Sequence, residues 1–228
     1  MINLLFLTFI LMQIPFLFTG YIQEGTNIAS FAREGFFQLM MLMGLVSLIF
    51  IFILKRHKNE KTSSILLISL LIQTIIIGIV SLKKMYLYQS IMGATVLRYY
   101  VEWFDYFLLL MLFIGIIFIL KRYAFHTLLN ILVLLGCMSF AFISSLNIDA
   151  MVAKHNIEKF QDQAHKLDIR AIKALSIDAL PIIQKYKIQI PDKYYREEKR
   201  EKCINLKSYH YGYCKIFERI INNDSDKK

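Results

Sequence analysis

The sequence is poor in charged residues and in the residue patterns that mark soluble enzymes. Only 19% of its 228 residues are charged, which is low for a soluble domain of this size. The five histidines form no HxxxH or HExxH pair, and no phosphate-binding glycine loop or nucleophile elbow occurs. A hydrolytic metal centre therefore has no support, and the sequence predicts no catalytic residue, no metal ligand and no cofactor.

Basic residues are also missing from the amino terminus, where no Lys or Arg precedes Arg33. The first apolar run covers residues 2–19, and a cleaved signal peptide is one interpretation of it. Such a peptide has a basic leading region and a small-x-small cleavage site, and Phe18-Thr19-Gly20 is a poor match to that site. We therefore expect a retained helix, and residues 20–35 follow it on the outer side in either case.

Long apolar runs fill the first two-thirds of the chain. About 20 apolar residues in a helix, each rising ~1.5 Å, cross a hydrocarbon core of about 30 Å. Hydrophobic residues make up 57% of the sequence, and the mean hydropathy is +0.49. The pattern predicts an all-α polytopic membrane protein with about five transmembrane helices, at residues 2–19, 36–54, 65–82, 94–120 and 128–146.

The short loops between these runs carry unequal charge, which predicts an orientation because Lys and Arg collect in cytoplasmic loops. The loop 55–64 has four Lys or Arg and one Glu, and the loop 121–127 has two and no acid. The loop 20–35 has one Arg and two Glu, as an outside loop should. The segment 83–93, with two lysines, counts against the same scheme. On balance the loops predict an N-inside, C-outside protein.

The formal net charge of +10 is divided between two regions of different character. Residues 1–146 hold 10 Lys or Arg and 5 Asp or Glu, whereas residues 147–228 hold 17 and 12. A basic protein can bind nucleic acid or anionic lipid. Cations that flank membrane helices and a tail of mixed charge explain the balance more simply, so we expect the lipid bilayer and no nucleic acid as a partner.

The last third of the chain has the spacing of amphipathic helices. Apolar residues between Ile148 and Phe160 recur on one helix face. A second short helix fits residues 169–175, and Ser176 and Asp178 fit as cap residues for a third. We predict that residues 147–228 form a small helical tail, extracytoplasmic in the orientation above, which leans on the membrane surface or a partner for its core.

Two of the three cysteines, Cys203 and Cys214, lie in this tail. In an oxidising compartment they could form a disulfide, which is our first interpretation. Free thiols are the main alternative. A metal site that includes His210 is a weaker one, because the spacing differs from the short CxxC pairs of zinc sites.

Three charged residues at the start of the fourth apolar run form the most unusual group in the sequence. Arg98, Glu102 and Asp105 share one helix face because they are four and three residues apart. A charge at membrane depth costs ~2.5–3.5 kcal/mol on the insertion scale, so such side chains face protein or water. They could line a polar path for ions, protons or a lipid headgroup. We favour an interfacial salt-bridge cluster, with Arg33 and Glu34 as further partners.

Several short stretches also have a familiar order and spacing. They are Asn3-Leu4-Leu5-Phe6, Ala32 to Leu39, Leu87-Tyr88 with Gly93-Ala94-Thr95 and Arg98, Asn147 to Ala150, Asn156, and Leu167-Asp168 with Leu175 to Pro181. Together they resemble the bacterial membrane family catalogued as domain of unknown function 4173, over about residues 3–183. The resemblance implies a multi-pass protein of the bacterial plasma (inner) membrane and implies no activity. Members of that family are usually longer at the amino end, which implies that another membrane protein could supply further helices.

These observations favour an uncharacterised, non-enzymatic integral membrane protein whose tail contacts envelope or membrane partners. The alternative is a transporter or channel component that uses the polar cluster at the start of the fourth span. An intramembrane enzyme is a third interpretation, and it lacks a visible nucleophile and base.

Overall fold

The computed structural model describes residues 2–19, 28–56, 61–160 and 168–186. Within these ranges the secondary structure is helical and no strand occurs, so the predicted all-α class is confirmed. The helices are α1 (Ile2–Thr19), α2 (Ile28–Arg56), α3 (Lys61–Met92), α4 (Val96–Lys121), α5 (Phe125–Ser145), α6 (Ile148–Phe160), α7 (Ile169–Ala174) and α8 (Leu180–Lys185), with a 3₁₀ turn at Ile177–Ala179.

Four of these helices, α2 to α5, are long and apolar enough to cross a membrane by length and composition. Helix α1 is apolar as well, but over Asn3–Gln13 it counts as a shorter apolar helix. The polytopic membrane class is therefore confirmed. By this measure the described residues hold four candidate spans and one shorter apolar helix, where the sequence predicted about five spans.

Helices α2 and α3 extend beyond the spans expected from the apolar runs. Helix α2 begins at Ile28 instead of residue 36, and α3 continues to Met92 instead of ending at residue 82. The apolar run stops at Lys83-Lys84, but the helix does not, because the Lys84 side chain is only 4% exposed and packs inside the bundle. The linker that follows α3, residues 93–95, carries no charge.

The chain divides into two compact units. The membrane unit comprises residues 1–92 and 97–145, and thus contains α1 to α5. The tail unit comprises Gly93–Val96 together with the described residues from Leu146 onward. The α3–α4 linker therefore belongs to the tail unit, although it lies between two helices of the membrane unit.

Helices α2 and α3 make the most extensive contact in the membrane unit. The buried apolar residues of α2 follow alternating steps of three and four, which is the 3.5-residue repeat that keeps one seam of a helix facing its neighbour. These residues are Ala29, Ala32, Phe36, Leu39, Met43, Val46 and Phe50. The matching face of α3 includes Leu67, Leu70, Leu71, Thr74, Ile77, Gly78 and Ser81.

Helices α2, α3 and α4 approach one another closely at two glycines. A Cβ at Gly78 would lie 2.6 Å from side-chain carbons of both Met43 and Leu109. A Cβ at Gly115 would lie 2.8 Å from the Phe50 ring. This layer of the membrane unit is therefore apolar and so tightly packed that neither glycine has room for a methyl group.

The tail unit has a small core of its own. Ala153 and Ile157 of α6 pack with Ile172 of α7, with Ala179 of the 3₁₀ turn and with Ile183 of α8. On the expected face of α6 most residues are buried, but Met151 is 41% exposed. The short helices α7 and α8 thus cover one side of α6.

Polar caps hold the turns of the tail unit. Asp168 caps α7, since its carboxylate accepts a hydrogen bond from the Ala171 amide at 3.0 Å. The Ser176 hydroxyl accepts from the Asp178 amide at 3.3 Å, as a cap residue does, and donates to the Asp149 carboxylate at 2.6 Å. The bond to Asp149 joins the segment before α8 to the first turn of α6.

The Asn156 side chain of α6 binds the backbone of the linker. The Asn156 amide oxygen accepts from the Ala94 amide at 2.6 Å, and its amide nitrogen donates to the Ala94 carbonyl at 2.9 Å. Gly93 adopts a φ of +76°, a left-handed conformation that side chains other than glycine rarely adopt. Both peptide groups of Ala94 are therefore satisfied by one residue of the tail unit.

Candidate functional site

Polar residues of α3 and α4 face one another along the half of the membrane unit nearest the linker. Contacts between the two helices progress in opposite directions along the chain, from Tyr88–Arg98 near the linker to Leu71–Gly115 farther in. The two helices are therefore antiparallel. We call the facing side chains of Ser81, Tyr88, Gln89, Arg98, Glu102 and Asp105 the polar row.

Arg98 forms the end of the polar row nearest the linker. Its guanidinium donates to the Tyr88 hydroxyl at 2.9 Å and lies 4.1 Å from the centroid of the same ring. It also donates to the Met92 carbonyl at 3.4 Å, which is at the carboxyl end of α3. A cation near this helix end offsets the partial negative charge of the carbonyls that have no partner in the helix. Arg98 therefore caps the carboxyl end of α3 and also makes a cation–π contact with the Tyr88 ring.

Glu102 lies one turn farther along α4 and contacts the next polar residue of α3. The Gln89 amide nitrogen donates to the Glu102 carboxylate at 2.8 Å, and Gln89 is 6% exposed. A hydrogen bond from a neutral amide to a carboxylate is stronger than one between two neutral groups. It also supplies the buried amide with an acceptor, without which burial of Gln89 would be unfavourable.

Asp105 is the innermost residue of the polar row and is completely buried. The Ser81 hydroxyl lies beside it and can turn to donate to its carboxylate, but in this geometry the hydroxyl donates to the Phe36 carbonyl at 3.4 Å. With Ser81 so placed, neither carboxylate oxygen of Asp105 accepts a hydrogen bond within the described chain. An ionised carboxylate in such a place is very unfavourable, so the group needs a proton or a cation to neutralise it.

Lys84 is a second buried ionisable residue, on the side of α3 that faces α2. Its Nζ lies 4.8 Å from the centroid of the Phe31 ring. A Cβ at Gly35 would lie 2.7 Å from the same nitrogen, so the absence of a side chain at residue 35 makes room for the lysine. The aliphatic stem of the lysine fills part of the α2–α3 interface, and the ring face receives its ammonium group.

Of the four residues predicted as a polar cluster, three lie in the polar row and one does not contact it in the described structure. Arg98, Glu102 and Asp105 share the face of α4 that contacts α3, as their spacing predicts. The guanidinium of Arg33 lies 4.0 Å from the Glu34 carboxylate, and both side chains are more than half exposed. An exposed pair of this kind contributes at most ~1 kcal/mol to stability.

Sequence reasoning missed the α3 half of the site. Tyr88 and Gln89 follow the lysine pair that was taken as the end of a span, so they were assigned to a loop. The signal that could have found this part of α3 is spacing, because Ser81, Met85 and Gln89 continue the buried face of the helix at four-residue steps.

The predicted disulfide falls on residues that the structure leaves undescribed. Cys203, Cys214 and the neighbouring His210 all lie outside the described residues. Cys137 of α5 is described, and it is a free and exposed thiol. Among the described side chains, no three His, Cys, Asp or Glu residues gather as they would around a metal ion.

Comparison with known proteins identifies a family and no characterised relative. The family model described as "Domain of unknown function (DUF4153)" matches residues 1–186, which include all the described helices. No curated protein and no solved structure matches the chain. The expected resemblance to domain of unknown function 4173 was therefore wrong in its number, since the short motifs that suggested it do not separate one uncharacterised family from another. The chain belongs to the DUF4153 family.

Proposed function

We propose that this protein is a transporter or channel component of the bacterial plasma membrane and that Asp105 binds a proton or a small monovalent cation in it. The observation that carries this proposal is the complete burial of a carboxyl group whose oxygens have no hydrogen-bond partner in the described chain. Asp105 lies about 14 Å along the axis from the start of α4, given a rise of ~1.5 Å per residue. An ionisable residue at that depth is by default a candidate functional site.

The rest of the polar row supports a path between the linker end of the membrane unit and Asp105. Glu102 is about one helical turn nearer the linker end of α4, and Arg98 one turn nearer again. Each has a neutral partner on α3, Gln89 or Tyr88, that can exchange one hydrogen bond for another. A cation that enters from this end would first pass Arg98, whose guanidinium is held by Tyr88 and the Met92 carbonyl. It would then meet the acidic oxygen atoms of Glu102 and Asp105.

The polar row ends at Asp105 within the described structure. Farther in, the contacts among α2, α3 and α4 are apolar, with Gly78 of α3 against Leu109, and Gly115 of α4 against Leu71 and Phe50. Transport across the whole bilayer therefore requires this apolar layer to open, or requires a second protein. For this reason we propose a component of a transport system and not a complete pore.

Ion flux in proteoliposomes tests the proposal. The purified chain would be reconstituted and the movement of H⁺, Na⁺ and K⁺ followed with fluorescent indicators, for the parent protein and for Asp105→Asn. The proposal expects a parent flux above that of empty vesicles and its loss in the variant. Glu34→Gln is the matched control, because it removes an exposed carboxylate of the same unit without touching the polar row. Equal flux in the parent and Asp105→Asn would contradict the proposal.

A second proposal is that the protein is not an enzyme and that its tail contacts an envelope or membrane partner. The support for the tail contact is the small size of the described tail core, a cluster of five buried residues. A core of that size gives little stability by itself, so contact with another surface would stabilise it. Purification from native membranes in mild detergent, followed by mass spectrometry, would show whether a second chain accompanies the protein.

We further propose an amino terminus in the cytoplasm and a tail outside. The contact between Asn156 and Ala94 requires the linker and the tail to be on one side of the membrane, and the linker has no charge. The basic residues Lys121 and Arg122 follow α4 at its other end, where a cytoplasmic loop is expected. Because Lys83 and Lys84 belong to α3, they no longer count as charges of an outer loop.

A further inference from the structure

We infer that Asn156 is a latch by which the tail unit controls the α3–α4 linker and, through it, the start of α4. The latch consists of a single side chain of α6 and the two peptide groups of Ala94. It needs no part of the proposed transport function, and it concerns residues to which no role has been assigned.

The Asn156 side chain is suited to bind the backbone of a single residue. A carboxamide has one acceptor and one donor side by side, which matches the N–H and C=O groups of one residue. The two bonds, at 2.6 and 2.9 Å, use both of them. Ala94 is only 3% exposed. Without Asn156, its N–H and C=O groups would lose these two hydrogen bonds while they are still buried, which is unfavourable.

The linker is shaped to receive this side chain. A Cβ at Gly93 would lie 2.8 Å from the Asn156 amide oxygen and 3.2 Å from the Phe160 ring. The φ of +76° at the same residue is also one that glycine adopts without strain. Two independent requirements for glycine at one position indicate a fitted contact and not an incidental one.

The position of the linker in the chain makes the contact a control point. Only three residues, Gly93 to Thr95, separate the last turn of α3 from the first turn of α4. Gln89 and Arg98, which belong to the polar row, lie four residues before and three residues after this segment. A linker so short cannot change conformation without moving the end of at least one of the two helices. A movement of α6 that withdraws Asn156 would therefore loosen the first turn of α4.

Hydrogen exchange of the full-length protein in detergent tests the latch. The variants are Asn156→Ala, which removes both bonds, and Asn156→Asp, which keeps the acceptor for the Ala94 amide but cannot donate to the carbonyl. In Asn156→Ala, the peptide that contains Ala94 should exchange about fivefold faster or more, as expected when two hydrogen bonds are lost. Peptides from the first turns of α4 should also exchange faster, whereas those of α5 should not change. Asn156→Asp should give a smaller effect.

Ser176→Ala is the matched control, because it breaks the bond between Ser176 and Asp149 inside the tail unit and leaves the linker alone. The latch is overturned if this control speeds exchange at Ala94 as much as Asn156→Ala does, since general loosening of the tail would then explain the result. It is also overturned if Ala94 exchanges faster in Asn156→Ala while the start of α4 stays unchanged, because the contact would then hold the linker without controlling the helix.

Discussion

Gly35 of α2 lies directly against the buried end of Lys84 of α3, so that a Cβ at residue 35 would be 2.7 Å from the lysine Nζ and 2.9 Å from its Cδ. A missing side chain on one helix thus accommodates a long one on the next. The relationship explains how a lysine between two apolar helices can be 4% exposed without separating α2 from α3.

The first prediction is that the effect of Gly35→Ala on stability changes sign with residue 84. In the parent, the new methyl group must displace the lysine, and overpacking of this kind costs ~1–3 kcal/mol. In a Lys84→Ala background the methyl group has room, and alanine should stabilise α2 by up to ~1 kcal/mol relative to glycine. Melting temperatures of the parent, both single variants and the double variant in one detergent measure the coupling. Equal shifts in both backgrounds would show that Gly35 does not accommodate Lys84.

A second prediction separates two glycines of the membrane unit. Gly115→Ala should lower stability by about 1–3 kcal/mol, because its Cβ would lie 2.8 Å from the Phe50 ring, which is fully buried and cannot move aside. Gly44→Ala should be neutral or stabilising by up to ~1 kcal/mol, since no atom lies within 4 Å of a Cβ at that position. The check is thermal unfolding in detergent; a larger loss in Gly44→Ala than in Gly115→Ala would contradict the packing described here.

Much of the fold is predictable because it depends on local pattern. Apolar runs of about 20 residues predicted the membrane class, and spacing within residues 148–160 predicted α6 with almost the same bounds. Helices α2 and α3 are both longer than expected, and the continuation of α3 through Lys83-Lys84 has a non-local cause. Whether a lysine ends an apolar helix or packs inside it depends on the facing residues, here Phe31 and Gly35. Those residues are some 50 positions away in sequence.

The site was predictable only in part, for the same reason. The 4 and 3 spacing put Arg98, Glu102 and Asp105 on one face of α4 without further information. Their partners on α3 depend on how far that helix continues and on its register against α4, which no short motif encodes. The contact of Asn156 with Ala94 joins residues 62 positions apart, so it too becomes visible only once the chain is folded.

The third prediction concerns membrane orientation. In a variant with all native cysteines replaced by serine, Ala174→Cys should react with an impermeant maleimide in intact cells, and Ala124→Cys should react only after permeabilisation. Both positions are exposed, and both changes are small. The physical reason is the excess of Lys and Arg in the loops on the Ala124 side. The opposite labelling pattern would reverse the proposed orientation.

The fourth prediction is a disulfide between Cys203 and Cys214. It follows from an outward tail, because thiols in an oxidising compartment tend to form disulfides. Cys203 and Cys214 are the only cysteines in the sequence outside the membrane helices, so each is the natural partner of the other. Alkylation during lysis, followed by intact-mass measurement without reduction, should add one alkyl group, at Cys137. Cys214→Ser should then add two, because its former partner becomes free. Three alkylated cysteines in the parent would exclude the bond.

The last prediction uses stability to separate the two acidic residues of the polar row. Glu102→Ala should lower the free energy of unfolding by about 1–3 kcal/mol, because the buried Gln89 amide loses its acceptor. Glu102→Gln should lower it less, since a carbonyl oxygen remains. Asp105→Asn should leave stability unchanged or raise it, because it removes a buried acid that has no hydrogen-bond partner in the described chain. A native residue whose replacement leaves the protein equally or more stable is expected to be there for function. If Asp105→Asn unfolds at a lower temperature than Glu102→Ala, Asp105 has a structural role, and the proposed ion-binding site loses its main support.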